Sequence, residues 1–66
     1  MELKINGRRE EVQSGLTLAD LLSNKGIKLE AVVVEHNGRI CPRESYAQVI
    51  LQDNDCLEVI TLVGGG

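Results

Sequence analysis

Thr17-Leu18-Ala19-Asp20-Leu21-Leu22-Ser23-Asn24-Lys25-Gly26 is the best-punctuated stretch of this 66-residue chain, and it reads as one short helix. Thr17 is a good N-cap, and Asp20 stands three residues later, close to the capping-box pattern. Leu18, Leu21 and Leu22 recur at i, i+3 and i+4 and so share one face. Lys25 falls in the last turn, and Gly26 is placed for the left-handed C′ position. The apolar stripe is narrow, so this helix needs a sheet to cover it.

The sheet is legible on both sides of the helix. Glu2-Leu3-Lys4-Ile5 alternates polar and apolar, the period of a half-buried strand. Asn6-Gly7 follows, a two-residue hairpin signal, because both residues tolerate positive φ. The return strand, Arg8 to Gln13, offers only Val12 as a firm core residue, and its charges suit an edge. Beyond the helix, Ile27 to Glu30 reads as a connection. Ala31-Val32-Val33-Val34-Glu35-His36 is β-branched and hence a strand. Asn37-Gly38 repeats the hairpin signal, and Arg39-Ile40-Cys41 returns until Pro42, which cannot donate to a ladder. Arg43 to Val49 is expected to hold one irregular or helical turn that folds Tyr46 back over the core. Ile50 and Leu51 resume apolar character, and Asp53-Asn54-Asp55 is a polar turn. The last strand runs from Cys56 to Val63.

The order β-β-α-β-β-β gives an α+β two-layer sandwich, a mixed sheet of four or five strands with one helix on one face. Two hairpins flanking one helix, with the last strand returning to the middle of the sheet, is the β-grasp or ubiquitin-like arrangement. The expected domain spans residues 1–62, with residues 63–66 as a flexible tail.

Composition narrows the function classes. A chain this short makes one small domain with a marginal core. Tyr46 is the only aromatic residue, so Leu, Ile and Val must fill that core. A net charge of −3 argues against a nucleic-acid binder, which needs a basic patch to neutralise phosphates. No apolar run reaches the length of a membrane span, and the first residues lack the layout of a signal peptide. The expectation is a soluble, cytoplasmic protein, monomeric when free. Cys41 and Cys56 are too few for a disulfide scaffold or a four-cysteine metal site, and each reads as a small hydrophobe in or beside a strand. A regulatory disulfide is the minor alternative. His36 has no neighbour in sequence that would make a metal or acid–base site.

The group with chemical potential is at the end. Val63-Gly64-Gly65-Gly66 follows an apolar strand directly. Three glycines cannot pack a core, and ordering them is entropically costly. Such a side-chain-free thread can enter a slot that any Cβ would block, and can present the Gly66 carboxylate at its bottom. A glycine-rich end can also be functionally silent.

Several stretches together resemble the ThiS family of ubiquitin-like sulfur carriers. They are Thr17-Leu18-Ala19-Asp20-Leu21-Leu22, Asn37-Gly38, Ile40-Cys41-Pro42-Arg43, Asp53-Asn54-Asp55 and the diglycine end. Pro42-Arg43 followed by Tyr46 favours ThiS over the related MoaD carriers of molybdopterin synthesis. Some positions depart from the pattern. Asn54 stands where the family usually has Gly, Cys41 and His36 stand where aliphatic residues are expected, and Gly64 makes the tail a triglycine. The resemblance implies a carrier rather than an enzyme, with no cofactor of its own. A ThiF-type partner would use ATP and Mg to adenylate Gly66, a persulfide donor would supply sulfur, and a ThiG-type thiazole synthase would receive it. Gly64 and Gly65 would give the tail access.

The docking surface is expected on the last strand. If Leu57 and Val59 face the helix, Ile60 and Leu62 lie on the open face with Lys4, and with Val63 they make a partner patch beside the tail. Scattered surface aliphatics would look the same in sequence. Arg39, Arg43, Asp53, Asp55 and Glu58 read equally as partner contacts or solvated charge. Other readings stay open. The sulfur could go to molybdopterin, cysteine or a tRNA base, the terminus could modify lysines, or the domain could be a binding module whose glycines are incidental.

Overall fold

The computed structural model of the chain describes residues 1–62. Five strands form one mixed sheet in the order β2-β1-β5-β3-β4, with the single helix α1 on one face. The strands are β1 (Glu2–Ile5), β2 (Arg8–Glu11), β3 (Val32–His36), β4 (Arg39–Cys41) and β5 (Cys56–Thr61). Helix α1 spans Leu18–Asn24. The last strand does return to the middle, parallel to β1 and antiparallel to β3.

Helix α1 is short because both of its ends are closed by local chemistry. The Thr17 hydroxyl accepts from the Asp20 amide at 3.1 Å, and the Asp20 carboxylate accepts from the Thr17 amide at 3.1 Å. At the other end Gly26 takes φ 73°, its amide donates to Ser23 O, and the Ile27 amide donates to Leu22 O. That is a Schellman closure, and it needs the left-handed conformation glycine supplies. The next two amides of the first turn are also satisfied. Leu18 N donates to Val49 O and Ala19 N to Tyr46 O, so the irregular segment after β4 serves as part of the helix cap.

Leu18, Leu21 and Leu22 meet Leu3, Ile5, Val32, Val34 and Leu57 in the layer between helix and sheet. Each such side chain contributes roughly 1.5–3 kcal/mol by leaving water. Tyr46 does fold back over this core, following a short 3₁₀ turn at Arg43–Ser45, and is 2% exposed. Element bounds differ from the sequence expectation: Ala31 ends a 3₁₀ turn over Leu29–Ala31 rather than opening β3, and β5 stops at Thr61, before Leu62. The return strand ends at Glu11, although Val12 still exchanges bonds with Met1, its amide donating to Met1 O at 2.8 Å. Ile50 is exposed at a single bridge to Thr17, while Leu51 is buried. Its neighbour's place in the core leaves Ile50, by alternation, on the outside.

Candidate functional site at the end of the central strand

Strand β5 shares its backbone between two neighbours. Even-numbered residues face β3: Cys56 O accepts from Asn37 N, and Leu62 N donates to Ala31 O, both at 2.8 Å. Odd-numbered residues face β1: Asp55 O accepts from Lys4 N and Leu57 O from Asn6 N, both at 2.9 Å. Val59 is next on that side, but β1 has already turned away at Asn6-Gly7. The Asn6 side chain stands in for the missing strand. Its Oδ1 accepts from Val59 N at 2.7 Å, and its Nδ2 donates to Val59 O at 3.2 Å.

The side chains of β5 divide as alternation requires. Leu57 is fully buried under the helix and Val59 is partly buried. Ile60 and Leu62 are each 49% exposed, and Lys4 is exposed on the face away from the helix. The register sets Val33 directly opposite Ile60, and Glu35 opposite both Glu58 and Ile40. Ile40 is 62% exposed. The apolar patch therefore includes Val33 and Ile40, which sequence reading missed because their distance from Ile60 depends on pairing register. Beside it Glu35 and Glu58 face each other across the strands, an unfavourable pairing of like charges. Val63, Gly64, Gly65 and Gly66 lie outside the described residues.

At the start of β5, the structure corrects the expectations for His36 and Asp55. Asp55 is buried rather than solvated, and His36 is not isolated. Its Nε2 donates to Asp55 Oδ2 at 2.8 Å. The same carboxylate accepts from Gln52 N at 2.9 Å and from Asn37 Nδ2 at 3.0 Å, while Asn37 Oδ1 accepts from Cys56 N at 2.8 Å. Burial pushes the Asp55 carboxyl up, but the bonds from His36, Gln52 and Asn37 outweigh it and hold it below its ordinary range. This network ties the β3–β4 turn to β5 and is fully used by the fold. Cys41 is buried, and burial together with Glu44 pushes its thiol up, away from reactive thiolate. Arg39 is exposed, and Arg43 donates to Glu30 O at 3.2 Å. Among the described residues no group of three or more His, Cys, Asp or Glu could hold a metal ion, and no helix is long and apolar enough to cross a membrane.

The model of the ThiS family matches residues 2–66. The chain belongs to the ThiS family. It is 35% identical to the sulfur carrier protein ThiS of Bacillus subtilis, over 97% of this chain and 98% of that one. A crystal structure of the thiamine biosynthesis protein ThiS from Geobacter metallireducens superimposes with a TM-score of 0.86 at 33% identity, covering all of both chains. The β-grasp fold and the sulfur-carrier family are thereby established. The chain is also 41% identical over its whole length to part of a thiazole synthase of Paramagnetospirillum magneticum, and spans 20% of the length of that protein.

Proposed function

We propose that this domain carries sulfur for thiazole formation on the carboxylate of Gly66. The observation that supports this most is the placement of β5. It is the central strand, between β1 and β3, with an apolar patch at its end, and in sequence it leads directly to Val63-Gly64-Gly65-Gly66. A rigid strand with a side-chain-free continuation fits delivery of a terminal carboxylate into a narrow active site.

A carboxylate resists sulfur nucleophiles because it has no good leaving group. A ThiF-type enzyme would use MgATP to form the acyl adenylate, releasing pyrophosphate. The terminal sulfur of a donor persulfide then attacks the acyl carbon and expels AMP, forming an acyl disulfide. A thiol cleaves the S–S bond, supplying two electrons, and leaves the thiocarboxylate. The domain contributes the acyl group and the docking surface, and no base or nucleophile of its own. A thiazole synthase of the ThiG type is the acceptor that the likeness to part of a protein named thiazole synthase favours. The opposed Glu35 and Glu58 would favour a basic side chain on the partner's docking face.

Intact mass tests the carrier role. Protein from thiamine-producing cells should show an increase equal to exchanging one oxygen for sulfur, and the increase should vanish when Gly66 is deleted. An unchanged mass with an active adenylating enzyme present overturns the reading. Gly65→Ala should slow activation without altering stability, since a methyl group would narrow the fit of the thread. Ile60→Asp should weaken partner binding by about tenfold, in keeping with an apolar contact at an interface centre. Its melting temperature should fall by only a few degrees, the cost of a poor strand former at a half-exposed site, and a much larger loss of stability would put Ile60 to structural rather than docking use.

A further inference from the structure

We infer that Asn6 is a positioning residue for the tail, acting through Val59 on the end of β5. The inference rests on the carrier reading above. Asn6 sits at φ 50° and is followed by Gly7 at φ 83°, the two left-handed positions of a tight hairpin turn. A glycine would satisfy that turn equally well. What asparagine adds is a side-chain amide with the donor and acceptor of a peptide group, and both are spent on Val59. The bond pattern continues that of Asn6 N to Leu57 O, so one residue closes two successive steps of the β1 edge with its backbone and then its side chain.

Nothing else described replaces it there. The sheet sets only β1 and β3 beside β5, and a groove of about 350 Å³ between Ile5, Asn6, Val59 and Thr61 of the sheet layer and Leu21 and Lys25 at the helix marks the corner that β1 leaves. Without the amide, β5 beyond Leu57 would be held on the β3 side alone, by the pairing of Glu58, Val59, Ile60 and Thr61 with β3 and by Leu62 N to Ala31 O. One-sided strand ends fray. Every residue that frays is one more that a partner must order, and that ordering entropy is lost at the moment of binding. The loss therefore falls on capture of the tail rather than on the chemical step that follows it.

Asn37 supplies a matched control. It makes the same kind of turn, at φ 52° with Gly38 at 85°, and its side chain also grips β5, but at Cys56, the end far from the tail. Asn6→Gly and Asn37→Gly should both keep their turns. Three readouts separate the roles: hydrogen exchange at the Val59 amide, thermal stability, and steady-state pyrophosphate release by a purified adenylating enzyme with each protein as substrate. Asn6→Gly should speed Val59 exchange about tenfold and raise KM threefold or more with kcat unchanged, in keeping with loss of binding alone. Asn6→Asp, which keeps the acceptor for Val59 N, should recover part of both. Asn37→Gly should lower the melting temperature more than Asn6→Gly does and leave KM near the parent value. Unchanged KM in Asn6→Gly despite faster exchange overturns the positioning role, as does a KM that tracks melting temperature in both variants. Unchanged exchange would show that the clamp itself does not hold. A parent protein that is never adenylated overturns the carrier reading, and the positioning role with it, while the exchange data still report on the clamp.

Discussion

Asn6-Gly7 and Asn37-Gly38 share a sequence, a turn type and nearly the same dihedral angles, yet they are embedded differently. Both asparagines are exposed, but the Asn6 amide touches only the backbone of Val59. The Asn37 amide bonds the buried carboxylate of Asp55 as well as Cys56 N, with His36 on the same carboxylate. The dipeptide therefore specifies the turn, and the neighbours decide what the side chain is for. A bond to a buried carboxylate is worth more than one to an exposed peptide group, because leaving either partner unpaired costs its desolvation. One turn anchors the domain and the other trims the end of its central strand.

The largest test of this contrast removes the carboxylate. Asp55→Ala deprives His36, Asn37 and Gln52 of their shared acceptor and should cost about 3 kcal/mol in denaturant melts. A cost below about 1 kcal/mol would mean the cluster is an ornament of the turn rather than its anchor. The same residue sets an acid limit. Its folded pKa lies below the ordinary 3.8, so the ionised form is the one the fold favours. That contribution is complete above the unfolded value and is lost as pH falls through the folded one. The parent should lose stability steeply below about pH 4, and Asp55→Ala should flatten that limb.

Asn37→Gly should come next, at about 2 kcal/mol, for it removes two bonds, one of them to a charge. Gly7→Ala and Gly38→Ala should each cost about 1–2 kcal/mol, and by nearly the same amount. A Cβ at either glycine meets nothing within 4 Å, so only the positive φ opposes it. Unequal costs would show that the two backbones are less alike than their angles imply. Asn6→Gly should be mildest, under about 1 kcal/mol, since water replaces the bonds it loses.

The contrast also marks where sequence reading stops. Thr17, Asp20 and Gly26 announced the helix because capping chemistry is local. The two Asn-Gly pairs announced their hairpins for the same reason, and alternation set Leu57 and Ile60 on opposite faces, while the structure decides that Leu57 is the one inside. The uses of the two amides were hidden, because Asn6 reaches a residue 53 positions away and Asn37 one 19 positions away. His36 looked isolated for want of a neighbour in sequence, yet its partner Asp55 is also 19 residues on. A buried aspartate in a polar Asp53-Asn54-Asp55 turn has no signature distinguishing it from its exposed neighbour two residues earlier. Val33 and Ile40 were unreadable as patch residues until register set them near Ile60. The glycine run singled out the end of the chain, but the sulfur chemistry proposed for Gly66 rests on the family resemblance alone.

The central place of β5 has a consequence for how the domain is made. The strand in the middle of the sheet is also the last one in the described sequence, and it pairs with β1 from the opposite end of that sequence. Neither half of the sheet has its neighbour until this strand docks, so the slow, long-range closure comes late and completes the core in the same event. A ribosome-bound or clipped chain lacking β5 would have two unjoined hairpins and a helix with half its cover. A partner docking on the open face of β3 and β5 would therefore be reading the integrity of the whole domain.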